Sequence, residues 1–136
     1  MNLLKGQCLC SSVQYEIEGE PQLSFLCQCR QCQKITGTGH SAELVVSEKV
    51  VSIAGKLQGY EMKSDNGNTV VSQFCPTCGN PIYKKSAGFP SLLFFHAATL
   101  ESPNIFNPQR VFWASSSQSW DFIDPELEVL QKMHKK

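Results

Sequence analysis

The sequence predicts an all-β fold, one small domain of short antiparallel strands spanning residues 1–136. Three observations lead there. The chain has 136 residues, the usual size of one domain. Its apolar residues fall in short runs rich in β-branched and aromatic side chains. Glycines and polar pairs separate those runs every ~8–12 residues, while helical spacing is scarce.

The elements follow in chain order. Residues 1–5 lead into a Gly6-Gln7-Cys8 turn. Val13, Tyr15 and Ile17 alternate with Gln14, Glu16 and Glu18, the period of a strand with one buried face. Gly19-Glu20-Pro21 ends that strand, and residues 22–27 form the next. Residues 30–35 suit one helical turn. Residues 42–47 and 49–53 read as strands, closed by Gly55. Residues 57–63 and 69–74 flank Asp65-Asn66-Gly67-Asn68, the strongest hairpin turn in the chain. Gly88 precedes a strand at 92–96, and 109–114 completes the set. Asp124-Pro125-Glu126 offers an N-cap, a proline at the first helical position and an acidic first turn. Leu127 and Leu130 lie three apart, so a short C-terminal helix is predicted as far as Met133.

Charge narrows the function. Lys plus Arg and Asp plus Glu each number 12, so the chain is neutral. It lacks the basic footprint expected for nucleic acid or an anionic membrane. No apolar run approaches the ~20 residues of a membrane span, and no secretory leader is evident. The expected location is cytoplasmic, where disulfides are disfavoured.

Seven cysteines carry the chemistry: Cys8-x-Cys10, Cys27-x-Cys29-x-x-Cys32 and Cys75-x-x-Cys78. An odd number leaves one thiol outside any disulfide framework. Four thiolates make a closed structural zinc site, and three leave a coordination position open. The two pairs can pool into a four-sulfur site, and the triplet alone forms a three-sulfur site. Sulfurs around a tetrahedral zinc stand about 3.8 Å apart, closer than i and i+2 on a flat strand, so Cys8/Cys10 and Cys27/Cys29 each need a bend. In Cys75-Pro76-Thr77-Cys78-Gly79, the proline presets a turn and Gly79 permits a positive φ, the makings of a metal knuckle. Other arrangements stay open: a single ribbon-like zinc on Cys29, Cys32, Cys75 and Cys78, a Cys29/Cys32 redox pair, or buried free thiols.

At these residues the chain resembles a known family. Gly6-x-Cys8-x-Cys10-x-x-Val13-x-Tyr15, Cys27-x-Cys29-x-x-Cys32-x-Lys34-x-x-Gly37 and Phe74-Cys75-x-x-Cys78-Gly79 are similar to the glutathione-dependent formaldehyde-activating enzymes, whose domain centromere protein V shares. Phe112-Trp113 and Trp120 resemble the family's C-terminal aromatic cluster. The resemblance implies a tent-like, Mss4-like fold and two zincs. It implies structural-zinc ligands at Cys8, Cys10, Cys75 and Cys78, and catalytic-zinc ligands at Cys27, Cys29 and Cys32. Many members carry His between the first two triplet cysteines. This chain has Gln28, which cannot titrate, and that bears on any proton shuttle there.

A zinc with three thiolates binds a fourth sulfur well and stabilises it as thiolate. The implied reaction is carbon–sulfur lyase chemistry on glutathione and formaldehyde, or a similar small-molecule thiol and aldehyde. The alternative is a non-enzymatic zinc scaffold for interactions. Arg30, Lys34, Lys84 and Lys85 are cations available to glutathione's carboxylates, against surface exposure as the plain reading. His40 and His96 are candidate acid–base groups, and Glu43 is the only carboxylate close after the triplet. Trp113 and Trp120 could wall a pocket or cover the core. The three-cysteine site is expected to lose its metal first, leaving it partly empty.

Overall fold

A computed structural model describes residues 2–133. Two sheets form it. The smaller has the order β1-β2-β5, from Leu3–Gln7, Gln14–Glu18 and Val51–Ala54. The larger has eight strands in the order β11-β10-β3-β4-β9-β8-β7-β6. These are Glu128–Val129, Arg110–Phe112, Leu23–Cys27, Ser41–Ser47, Leu92–His96, Pro81–Ser86, Thr69–Phe74 and Gln58–Lys63, respectively. Among the described residues the single α-helix, α1, spans Arg30–Thr36. The fold is mostly β, as its short apolar segments and frequent turns predict.

Alternation explains how the sheets pack. Val13, just before β2, and Tyr15 and Ile17 on it are buried, and they meet one face of the large sheet at Leu44, Val46, Leu93, Phe95 and Ile82. Phe95 stacks between Tyr15 and Tyr83, with ring centroids 4.5 and 5.1 Å away. The opposite face carries a second core of Phe25, Cys27, Val45, Phe94 and Phe112, which also takes in Cys32 of α1. Cross-strand partners share a face. Phe25 pairs Glu43, Glu43 pairs His96, and Ser72 pairs Lys84, so all five belong to the face that carries α1.

Local signals placed most strands. The Asp65–Asn68 turn joins β6 to β7, closed by Ser64 N–H to Asn68 O at 2.9 Å with Gly67 at φ +88°. Four readings need correction. Residues 3–7 form strand β1 rather than a lead into a turn, because Leu3–Gln7 pairs β2 along its whole length. Pro81–Ser86 is a strand, with proline at its first residue, where a ladder donor is dispensable. The strands are not all antiparallel: β10 lies parallel to both β3 and β11. There is no C-terminal helix among the described residues. Asp124 accepts from Glu126 N–H at 2.9 Å in an Asx turn, and the chain then extends as β11. Leu130 donates its N–H to Val111 O at 2.8 Å and is buried on the second core. That burial outweighs weak helical spacing over so short a segment.

Candidate metal centres

Two bends bring four sulfurs together. In the first, Ser11 takes φ +71°, and Cys8 N–H closes on Val13 O at 3.0 Å. In the second, Gly79 takes φ +77°, and its N–H reaches Cys75 O at 2.7 Å. Leu9 N–H donates to Asn80 Oδ1 at 2.9 Å and ties the loops together. Cys8, Cys10, Cys75 and Cys78 then lie with all sulfurs within 4.8 Å of one another. The Cys8–Cys10 and Cys10–Cys75 separations are both 3.7 Å, close to the ~3.8 Å edge of a zinc–thiolate tetrahedron. Backbone N–H groups aim at the sulfurs, Val13 to Cys8 at 3.3 Å and Cys78 to Cys75 at 3.5 Å. Ser12 Oγ sits 3.2 Å from Cys75 Sγ, and its hydrogen bond leads the effects that hold that thiol down to about 6. The donor set fits zinc and favours thiolate.

The triplet forms where β3 runs into α1. Cys27 ends the strand, Cys29 caps the helix, and Cys32 lies in its first turn. The Cys29 sulfur accepts Cys32 N–H at 3.3 Å. All three sulfurs lie within 4.8 Å of one another. Hydrogen bonds from the Cys27 and Cys32 thiols hold the Cys29 thiol down to about 3, and sharing with Cys29 pushes Cys27 up. A cation held there would be one ligand short of a tetrahedron.

Beneath Cys32 lies a buried polar cluster. Lys84 Nζ is 3.2 Å from Cys32 Sγ and 3.0 Å from Glu43 Oε2. The Glu43 side chain is 0% exposed and also accepts from Ser41 Oγ. Burial works against the Lys84 charge, but Glu43 and Cys32 outweigh it and hold its pKa well above the ordinary value. Burial raises Glu43, against the attraction of Lys84. Burial also lowers His96, whose strand pairs it with Glu43. Among the described residues, neither Glu43 Oε1 nor His96 Nε2 has a hydrogen-bond partner.

Lys84 points inward, and Lys85 pairs with Glu48 at 2.8 Å, so neither is a free cation for a substrate. Arg30 donates to Gln33 Oε1. Lys34 lines a groove of about 490 Å³ between α1 and strands β6–β8, with Ile35, Tyr60, Met62, Ser72 and Phe74. Ser72 is the cross-strand neighbour of Lys84, and Gln31 of the lining precedes Cys32, but no sulfur of the triplet lines the groove. Neither tryptophan lines it: Trp113 packs on the second core, and Trp120 is exposed. Gln28 is buried, and its amide donates to Asp121 Oδ2 at 3.0 Å. His40 Nδ1 meets Asp121 Oδ1 at 2.9 Å. Gly39 makes room, since a Cβ there would come within 2.3 Å of Asp121 Cγ. Sequence reasoning missed Asp121 and Ser12, which no spacing rule singles out.

A mostly β framework carries separate four-thiol and three-thiol clusters, each of which could hold a zinc ion. No helix among the described residues is long and apolar enough to cross a membrane. The chain belongs to the glutathione-dependent formaldehyde-activating enzyme family, whose sequence pattern matches residues 3–116. Its fold is similar to that of a Rhodobacter sphaeroides protein known from a crystal structure. The TM-score is 0.60 at 20% identity, covering 76% of this chain and 96% of that chain. A comparison with curated proteins gives no match.

Proposed function

We propose that the chain is a zinc-dependent carbon–sulfur lyase acting on glutathione, or a similar small thiol, and formaldehyde. The thiol sulfur bonds to the aldehyde carbon, and the S–H proton ends on the former carbonyl oxygen, giving the S-hydroxymethyl adduct. The reverse step breaks the same carbon–sulfur bond, and no hydride moves. The observation that carries this reading is the compact trio of Cys27, Cys29 and Cys32, one ligand short of a closed site, in a member of this family. Zinc there would offer its fourth position to the thiol sulfur and stabilise the thiolate.

The chain's own residues supply the rest. Cys27, Cys29 and Cys32 hold the ion, and Cys8, Cys10, Cys75 and Cys78 hold a second, structural one. The groove beside α1 receives the body of the thiol, with Lys34 as the cation for its carboxylate. His40, oriented by Asp121, is the group we assign to move the proton. Gln28, where many relatives carry His, steadies Asp121 instead. The same reading takes residues 1–136 as one cytoplasmic domain of the tent-like, Mss4-like kind.

Metal analysis combined with a formaldehyde assay tests it. Two zincs per chain, and formaldehyde consumption that requires added thiol, are expected. Two zincs with no thiol effect would overturn the enzymatic reading and leave a zinc scaffold.

A further inference from the structure

We infer that Lys84, held by Glu43, is a positioning residue that sets the charge of the three-thiol site so that an anionic fourth ligand can enter. The inference rests on the functional reading above, in which a thiolate is that ligand.

Charge bookkeeping states the problem. Zinc with three thiolates carries a net charge of −1, and an incoming thiolate makes it −2. In a site largely shielded from water, that repulsion is amplified. Among the described residues, Lys84 supplies the one cation hydrogen-bonded to a sulfur of the trio, at 3.2 Å from Cys32. An ammonium donating to a metal-bound sulfur draws electron density from it and leaves the ion better able to take another donor.

The cluster is built to hold that charge in place. Lys84 sits on β8 between Ser72 and Phe94, its cross-strand neighbours, and its side chain is 14% exposed. Taking an ammonium and a carboxylate out of water is costly, so packing alone gives no reason for the pair. Glu43 Oε2 holds the ammonium at 3.0 Å, accepts from Ser41 and stands 3.6 Å from Cys32 Sγ, farther than the ammonium, so the cation dominates at the sulfur. Glu43 Oε1 and His96 Nε2 find no hydrogen-bond partner among the described residues, a second cost that an apolar floor would avoid. Of the other candidate cations, Lys85 pairs with Glu48, Arg30 with Gln33, and Lys34 lines the groove.

Electrostatic and structural roles predict opposite signs for one substitution. The cobalt-loaded protein is titrated with glutathione, and thiol binding is read from sulfur-to-cobalt charge-transfer absorption. The four-thiol cluster, already saturated, contributes a constant background. Glu43→Gln removes a negative charge beside the trio and is expected to tighten thiol binding. The double variant Lys84→Met/Glu43→Gln removes both charges without stranding either. It is expected to keep two cobalts and bind thiol about tenfold more weakly or worse. Lys84→Arg is expected to retain binding. Equal weakening in Glu43→Gln and the double variant would show a merely structural role and overturn the inference. Unchanged thiol affinity in the double variant would overturn it too, as would loss of the trio's cobalt from that variant. A wild-type spectrum that ignores glutathione would overturn the functional reading itself.

Discussion

The Tyr15 phenol lies at the centre of the larger core, donating to Thr99 Oγ1 at 2.6 Å, while Thr99 donates to His96 O at 2.8 Å. Burial pushes its pKa up to about 12, from an ordinary 10. The folded state therefore prefers the protonated phenol. Its contribution is whole below pH 10 and is lost as pH rises through 12, about 2–3 kcal/mol in total. Urea unfolding of wild type and Tyr15→Phe between pH 8 and 11.5 checks this. The wild type should lose stability faster across that range, and parallel curves would contradict it. Burial also separates the residues the sequence revealed from those it hid. Cysteine spacing is local and reads directly. The Glu43–Lys84 pair depends on β4, β9 and β8 lying side by side, so both residues read as ordinary surface charges in the linear chain. By its type alone, Gln28 says only that no titrating group stands there. Only its contact with Asp121 shows what it does.

Elements were legible where their cause was local. The hairpin at residues 65–68 and strands β7 and β9 needed only their own turn residues and short β-branched or aromatic runs. The segment after Asp124 did not. An aspartate followed by proline and glutamate serves equally as a helix cap or an Asx turn, and the tie was broken by Leu130 docking on the second core. The substitution Leu130→Ala tests that docking. It should cost about 2–4 kcal/mol, as for other buried leucines, measurable as a drop in urea midpoint. A cost under about 0.5 kcal/mol would mean that the segment is a loose surface turn. The parallel β10 was hidden for a similar reason, since parallel neighbours need a long connection that no short-range pattern announces.

At the scale of the whole molecule, the two clusters hold the fold unequally. The four-thiol cluster joins a loop of the small sheet to a loop of the large one, so an ion there braces both sheets. The triplet joins neighbouring segments, β3 and α1, which already pack together. Metal-binding energy at the first cluster is therefore folding energy. Cys75→Ser should lower the melting temperature sharply or prevent folding. Cys29→Ser should keep near-native melting, bind one zinc and lose thiol-dependent activity. Calorimetry with metal analysis decides it, and equal melting losses would contradict the division. The grouping of the cysteines offered the pooling of the two pairs among other arrangements, and the folded chain brings those four sulfurs together. The stacking of the two sheets around Phe95 came only from the folded chain.

The parallel strand β10 also bears on how the chain is made. A ribosome delivers β3 early, yet its outer neighbour, Arg110–Phe112, and that strand's own partner, Glu128–Val129, emerge late. Throughout that interval the flank of β3 beside Cys27 offers unpaired backbone to any passing strand. Nascent chains stalled before residue 110 should thus be the most aggregation-prone species in the protein's synthesis, and chaperone capture should peak there.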